Sequence, residues 1–320
     1  MLQLMEERTL DYATFISTVR DIVKERMGEG YDVRIYKVVK NNSLELDSLV
    51  ILKEGKSFAP NIYFKPYYES YIEGTSVDVI AERLCCIYNH CSMPLVKEDF
   101  SYTLKEMEPY IFYRTVSFDR NRKILKEIPH IRYLDLAITF HCLVQSDEEG
   151  IGTIRITNSH LKQWGIALGD LKKMADANTV RLFPASIKNM EEVLKGMFYS
   201  GLTDDLESDF SKELEILLTD KKDAEKQHEM YVLTNQKGIN GASCILYDDI
   251  LQNFANKINS DFYILPSSIH EVLLVPKTKN MKKEDLAAMV REINATQVAD
   301  EEVLSDNVYF FSRENRLVML

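Results

Sequence analysis

The residues best equipped for chemistry are Ser267, Ser268, His270 and Glu271: two hydroxyls, an imidazole and a carboxylate within five positions. A nucleophilic hydrolase needs its serine, histidine and acid in a hydrogen-bonded chain. The run Pro266-Ser267-Ser268 reads as a hairpin turn, followed by a strand over His270–Val275. On that strand His270 shares a face with Val272 and Leu274 while Glu271 points to the other, so a local triad is disfavoured. What remains is a hairpin turn with a half-buried histidine or, as the alternative, a ligand-binding contribution from Ser267, Ser268 or His270. Asn235-Gln-Lys-Gly-Ile-Asn-Gly241 is the second candidate: backbone amides around Gly238 and Gly241, with Asn235 and Asn240, can form an anion nest. It lacks the Walker spacing and leads into an expected strand over Ala242–Tyr247, so no helix dipole assists it.

Zinc would draw on Cys85, Cys86, His90 and Cys91. With Leu84 at 0° on a helix, Cys85 lies near 100°, Cys86 near 200° and His90 near 240°. Cys91 joins Val77, Ile80, Leu84 and Ile87 on an apolar stripe, and only Cys86 and His90 point together. No four-ligand metal site is expected, and no cofactor motif is present. Between Tyr110 and Arg132 six basic residues face two acidic ones, and aromatics are interleaved. Arg114, Arg120, Arg122 and Lys123 are therefore the nucleic-acid candidates, against a short basic helix packed on its apolar side. The tyrosine-rich run 63–71 suits either core packing or an interface, and Trp164 reads as packing.

These residues must be positioned by a chain of 320 amino acids, 45% hydrophobic, with few glycines (12) and prolines (8), which excludes disordered and collagen-like classes. The net charge of −11 argues against a general nucleic-acid binder. Residues 201–230 carry ten acidic residues and four lysines, a net of −6, whereas 110–132 is locally +4. The start lacks the basic and apolar regions of a signal peptide. No stretch has the ~18–20 apolar residues of a membrane helix. Five cysteines, two of them adjacent, do not suit a secreted disulfide scaffold. A cytoplasmic protein with reduced thiols is expected.

The pattern predicts an α+β protein of two domains, each an antiparallel or mixed sheet flanked by helices. The first domain, 1–200, opens α-β-β-β-α: a helix over Tyr12–Val23 stopped at Gly28, and strands from Tyr31, over Leu44–Leu52 and over Asn61–Lys65. A helix follows over Ser76–Cys91. A phase slip at Asp47-Ser48 suggests a bulge or bend. Later elements are strands over Tyr110–Ser117 and Leu134–Val144 and helical patterns over Leu168–Ala177 and Ile187–Met197. Residues 201–229 form an acidic connecting helix, and 230–320 a repeated β-β-α domain.

The stretches 31–64, 134–144, 232–247 and 262–276 together resemble an uncharacterised bacterial family known only as a domain of unknown function. The resemblance implies a cytoplasmic protein of Gram-positive, often gut-dwelling, bacteria and carries no catalytic residue. The resulting expectation is a binding or adaptor protein whose candidate partner is a protein. One alternative is an enzyme with a deep cleft near His270 and 235–241. Another is nucleic-acid contact through 110–132.

Overall fold

The computed structural model describes residues 9–56, 59–90, 103–146, 151–199 and 230–319. They form an α+β fold with three antiparallel sheets. The chain divides into two compact units, residues 1–40 with 44–100, and residues 41–43 with 101–320.

In the first unit, helix α1 (Tyr12–Met27) starts where the Asp11 carboxylate accepts from the Thr14 N–H at 2.9 Å. That bond holds the Asp11 carboxyl below its ordinary pKa. The helix ends at Gly28, whose φ of 74° suits glycine. Phe15, Val19 and Val23, four residues apart, are its buried face. They pack on the sheet β1 (Tyr31–Val39), β2 (Glu45–Lys53) and β3 (Asn61–Tyr63).

The register from Tyr31↔Lys53 to Val39↔Glu45 is unbroken, so the bulge expected at Asp47-Ser48 is absent. The phase slip has another cause. Leu49 is buried in the core, and Ser48, on the opposite face, is buried because its hydroxyl bonds the Asn61 Oδ1 and Tyr36 carbonyl. The tyrosine run forms helix α2 (Lys65–Ile72), where Tyr67, Tyr68 and Tyr71 lean on the core. In helix α3 (Val77–His90), Ile80, Ala81 and Leu84 are buried, but Ile87 is 43% exposed.

In the second unit, short helix α4 (Leu104–Met107) precedes strand β4 (Ile111–Ser117). Short helix α5 (Arg122–Leu125), then β5 (His130–Tyr133), β6 (Leu136–Ser146) and β7 (Ile151–Arg155) follow. The long β6 is central: β4 lies on one edge, β5 and β7 in succession on the other. Helices α6 (Asn158–Trp164) and α7 (Leu168–Leu182) lead to β8 (Ala185–Asn189) and α8 (Met190–Tyr199).

A six-stranded sheet then takes the order β13-β12-β10-β11-β9-β8. Its members are β9 (Tyr231–Asn235), β10 (Phe262–Leu265), β11 (Val272–Pro276), β12 (Tyr309–Ser312) and β13 (Leu317–Met319), with β8. Helices α9 (Ile250–Ile258) and α10 (Lys283–Thr296) cover it. Phe262 meets Phe254 of α9 and Phe311, ring centroids 5.0 Å apart in each pair. On the opposite face Tyr263, Leu265, Leu273 and Val275 pack with Val290 of α10.

The expected connecting helix at 201–229 lies outside the described residues. Strand β8 before it pairs with β9 after it, from Ala185↔Asn235 to Asn189↔Tyr231, so one sheet spans the expected boundary at 200. The helical pattern at Ile187–Met197 begins as this strand. The apolar run expected as a strand over Ala242–Tyr247 is a 3₁₀ helix, Gly241–Leu246. Residues 241–245 in it are all buried, and a short run buried on every side has no period to separate strand from helix.

Candidate functional site

The two loops singled out from the sequence meet. Asn235, the last residue of β9, folds its side chain over its own loop: Oδ1 accepts from the Lys237 N–H at 2.9 Å and Nδ2 donates to the Ile239 carbonyl at 2.8 Å. Gly238 (φ 67°) turns the exposed tip and donates its N–H to the Asn235 carbonyl. Asn240 takes a left-handed conformation (φ 54°), which delivers Gly241 against β9 and the 266–271 connection. A Cβ on Gly241 would lie 2.1 Å from the Thr234 Oγ1, 2.5 Å from the His270 carbonyl oxygen and 2.7 Å from the Asn235 nitrogen. Glycine is needed here for close approach.

His270 lies in the connection before β11, which begins at Val272, so the expected strand starts two residues late. Its Nδ1 accepts from the Asn240 N–H at 3.3 Å, and its Nε2 is 3.3 Å from the Glu302 Oε1. Its carbonyl accepts from the Thr234 hydroxyl at 2.8 Å, and its N–H donates to the Ser268 Oγ at 3.0 Å. The Glu271 carboxyl nearby is pushed up from its ordinary pKa, chiefly by burial. Ser268 bridges Val303, while Ser267 accepts from the Leu304 N–H through its carbonyl. Asn240, His270 and Ser268 are thus hydrogen-bonded into one knot; Gly241 packs against it, Asn235 and Gly238 close the adjoining loop, and Ser267 is joined through backbone.

The knot's chemistry follows from its donors and acceptors. A general base needs a free ring nitrogen facing the proton to be removed. Both His270 nitrogens have partners, and neither faces a hydroxyl. The nest amides are also committed: those of Lys237, Gly238, Asn240 and Ala242 donate to Asn235 Oδ1, Asn235 O, His270 Nδ1 and Ile269 O. Beside the knot, Asn235, Asn240, Ser243, Tyr113 and Tyr247 enclose a cavity of about 10 Å³, the room of about one water. A depression of about 570 Å³ lies where α9 meets the β12–β13 turn, with Asn256, Asn259, Asp261, Arg313 and Arg316 in its wall. None of the sequence-derived candidates lines it.

The four basic candidates do not share an environment. Arg114 is half-buried on the edge strand β4; Arg120 pairs with Asp306 at 3.2 Å; Arg122 holds Asp119 through Nε and Nη2; Lys123 is exposed. Cys86 is exposed, Cys85 half-buried, and His90 Nδ1 sits 2.8 Å from the Cys86 carbonyl; Cys91 lies outside the described residues. Among the described residues no group of three or more His, Cys, Asp or Glu could hold a metal. Burial pushes the Cys142 and Cys244 thiols up to about 12, away from reactive thiolate.

With fold and site in place, the match to known proteins is decided by one family model, which aligns with residues 12–313. The chain belongs to a family of unknown function (DUF5688). No curated protein and no solved structure matches it. The DUF5688 fold holds two groups that local spacing did not reveal. Glu302 reaches His270 from 32 residues away. Asp135, legible only as an interruption in an apolar run, accepts from Ser305 Oγ (2.6 Å), Asn307 Nδ2 (3.0 Å) and Tyr309 OH (2.5 Å). No helix among the described residues is long and apolar enough to cross a membrane.

Proposed function

We propose that this DUF5688 protein is a binding or adaptor protein of the bacterial cytoplasm that works without covalent chemistry. One observation carries the reading: the imidazole of His270, the best-placed base beside a serine, has both ring nitrogens committed, to the Asn240 N–H and to Glu302. Ser268 Oγ instead accepts the backbone N–H of His270, and the ring beside it offers no free nitrogen as a base, which supports the reading. The cytoplasmic assignment is supported by the free Cys85, Cys86, Cys142 and Cys244.

A serine-directed fluorophosphonate tests the reading. Native protein is treated, digested and mapped by mass spectrometry beside a urea-unfolded control. Labelling of Ser267 and Ser268 is expected not to exceed the control; rapid labelling of Ser268 in the native protein alone would establish an activated nucleophile and overturn it.

A further inference from the structure

The four-stranded sheet has a face of one charge sign. Residues directly opposite in an antiparallel pair share a face, as do alternate residues along a strand. The pairings Phe112↔His141↔Arg155, Arg114↔Thr139↔His130 and Val116↔Ala137↔Arg132 therefore lay three arginines and two histidines on a single face. None of the residues in these three rows is acidic. Arg114 is central and only partly accessible; its Nε is sealed from solvent and has no hydrogen-bond partner, and no described carboxylate forms an ion pair with it.

One row away, His141 is 1% exposed, and its Nδ1 is likewise sealed and without a partner. The Thr139 hydroxyl lies 3.1 Å from the His141 Nε2, so when Nε2 accepts from it, Nδ1 carries the proton and is a donor. Burial, then the charges of Arg114 and Arg155, hold the imidazole well below its ordinary pKa, and burial lowers the Arg114 guanidinium to about 10.

A half-buried guanidinium with a sealed, unpaired Nε beside other cations is costly unless an anion compensates it, and guanidinium forks fit oxyanions in two-point geometry. We propose that this face is a binding site for a small oxyanion, a phosphate- or carboxylate-bearing metabolite, held chiefly by Arg114 with His141 as a neutral donor. The inference rests on the binding reading above and gives it a ligand class.

The test is calorimetric titration of the full chain with inorganic phosphate and, separately, succinate, at constant ionic strength. Saturable binding of either at one site per chain is expected; the arm that saturates identifies the oxyanion. Arg114→Gln is expected to weaken it at least tenfold, while Arg122→Gln, whose partner is Asp119 off this face, leaves it unchanged. Should Arg114→Gln fail to fold, Arg114→Lys keeps the charge, loses the fork, and is expected to bind severalfold more weakly. Hydrogen exchange localises the site: ligand is expected to slow amides in 111–117 and 136–146. No saturable binding, equal affinity in the Arg114 and Arg122 variants, or binding confined to a single-stranded oligonucleotide would overturn the proposal. A catalytic turnover found at Ser268 would sink the binding-only reading and leave these outcomes untouched, so the two failures are distinguishable.

Discussion

Replacing Gly241 by alanine probes the junction on which the His270 knot is built. The new Cβ would meet three atoms at 2.1, 2.5 and 2.7 Å, and two of them, the His270 carbonyl oxygen and the Asn235 nitrogen, are backbone. Neither can rotate away, so the 3₁₀ helix or the 266–271 connection must shift. Overpacking costs roughly 1–3 kcal/mol, at its upper end against unyielding atoms. Displacing the Thr234 hydroxyl from the His270 carbonyl loses about 1 kcal/mol more. The expected loss is thus about 3–4 kcal/mol, a sizeable part of a typical stability of roughly 5–15 kcal/mol.

Gly238→Ala is the internal control. Its added methyl meets nothing within 4 Å, and only the φ of 67° penalises it, by about 1–2 kcal/mol. Urea unfolding followed by fluorescence of Trp164, the sole tryptophan, reports on the unit that contains both sites. For a slope of about 3 kcal/mol/M the Gly241→Ala midpoint falls by about 1 M or more, and the control by about 0.3–0.7 M. Removing the third atom with Thr234→Ala in the Gly241→Ala background restores stability only in part. A Gly241→Ala loss no greater than that of Gly238→Ala would refute the close approach of β9, the 3₁₀ helix and His270.

Other outcomes follow from the same hydrogen bonds and burial. Tyr309→Phe removes one of three side-chain donors to Asp135 and is expected to cost about 1.5–3 kcal/mol in urea unfolding; a loss below 0.5 kcal/mol, within the roughly ±0.5 kcal/mol of ordinary surface changes, would show that the bond contributes little. Glu271 has a folded-state pKa raised by burial, so between its unfolded and folded values the native state binds more protons than the unfolded chain. Stability from this group is therefore present at low pH and is lost as pH rises through the raised value. Glu271→Gln should then be more stable than the parent at pH 7 and lose that advantage near pH 4, read from urea midpoints; an advantage at pH 4 that vanishes at pH 7 would reverse the sign.

Much of the fold was legible because the relevant forces are local. The steps Phe15, Val19, Val23 and the stop at Gly28 define α1, and the apolar residues Phe262–Leu265 define β10. The candidate site was half legible: the Asn235–Gly241 loop and the Ser267–Glu271 segment stand out by composition, and they do meet. Their function in the knot was not legible, because it depends on which nitrogen of His270 finds which partner, and Glu302 arrives from a turn with no distinguishing pattern. The sheet spanning residue 200 was hidden for a related reason. Strand pairing of β8 with β9 is a non-local choice, and the acidic composition of 201–230 between them reads as a boundary. Arg114 was misplaced among surface arginines because a charge count says nothing of the face on which a strand residue lies.

The most direct test is the tautomer of His270, since its ring was the best candidate for a base. Long-range proton–nitrogen correlation on imidazole-labelled protein, assigned with a His270→Gln variant, reads which nitrogen bears the proton. The structure requires an unprotonated Nδ1, accepting from Asn240, with the proton on Nε2 toward Glu302. A neutral ring protonated on Nδ1, leaving Nε2 as the free base, would contradict it.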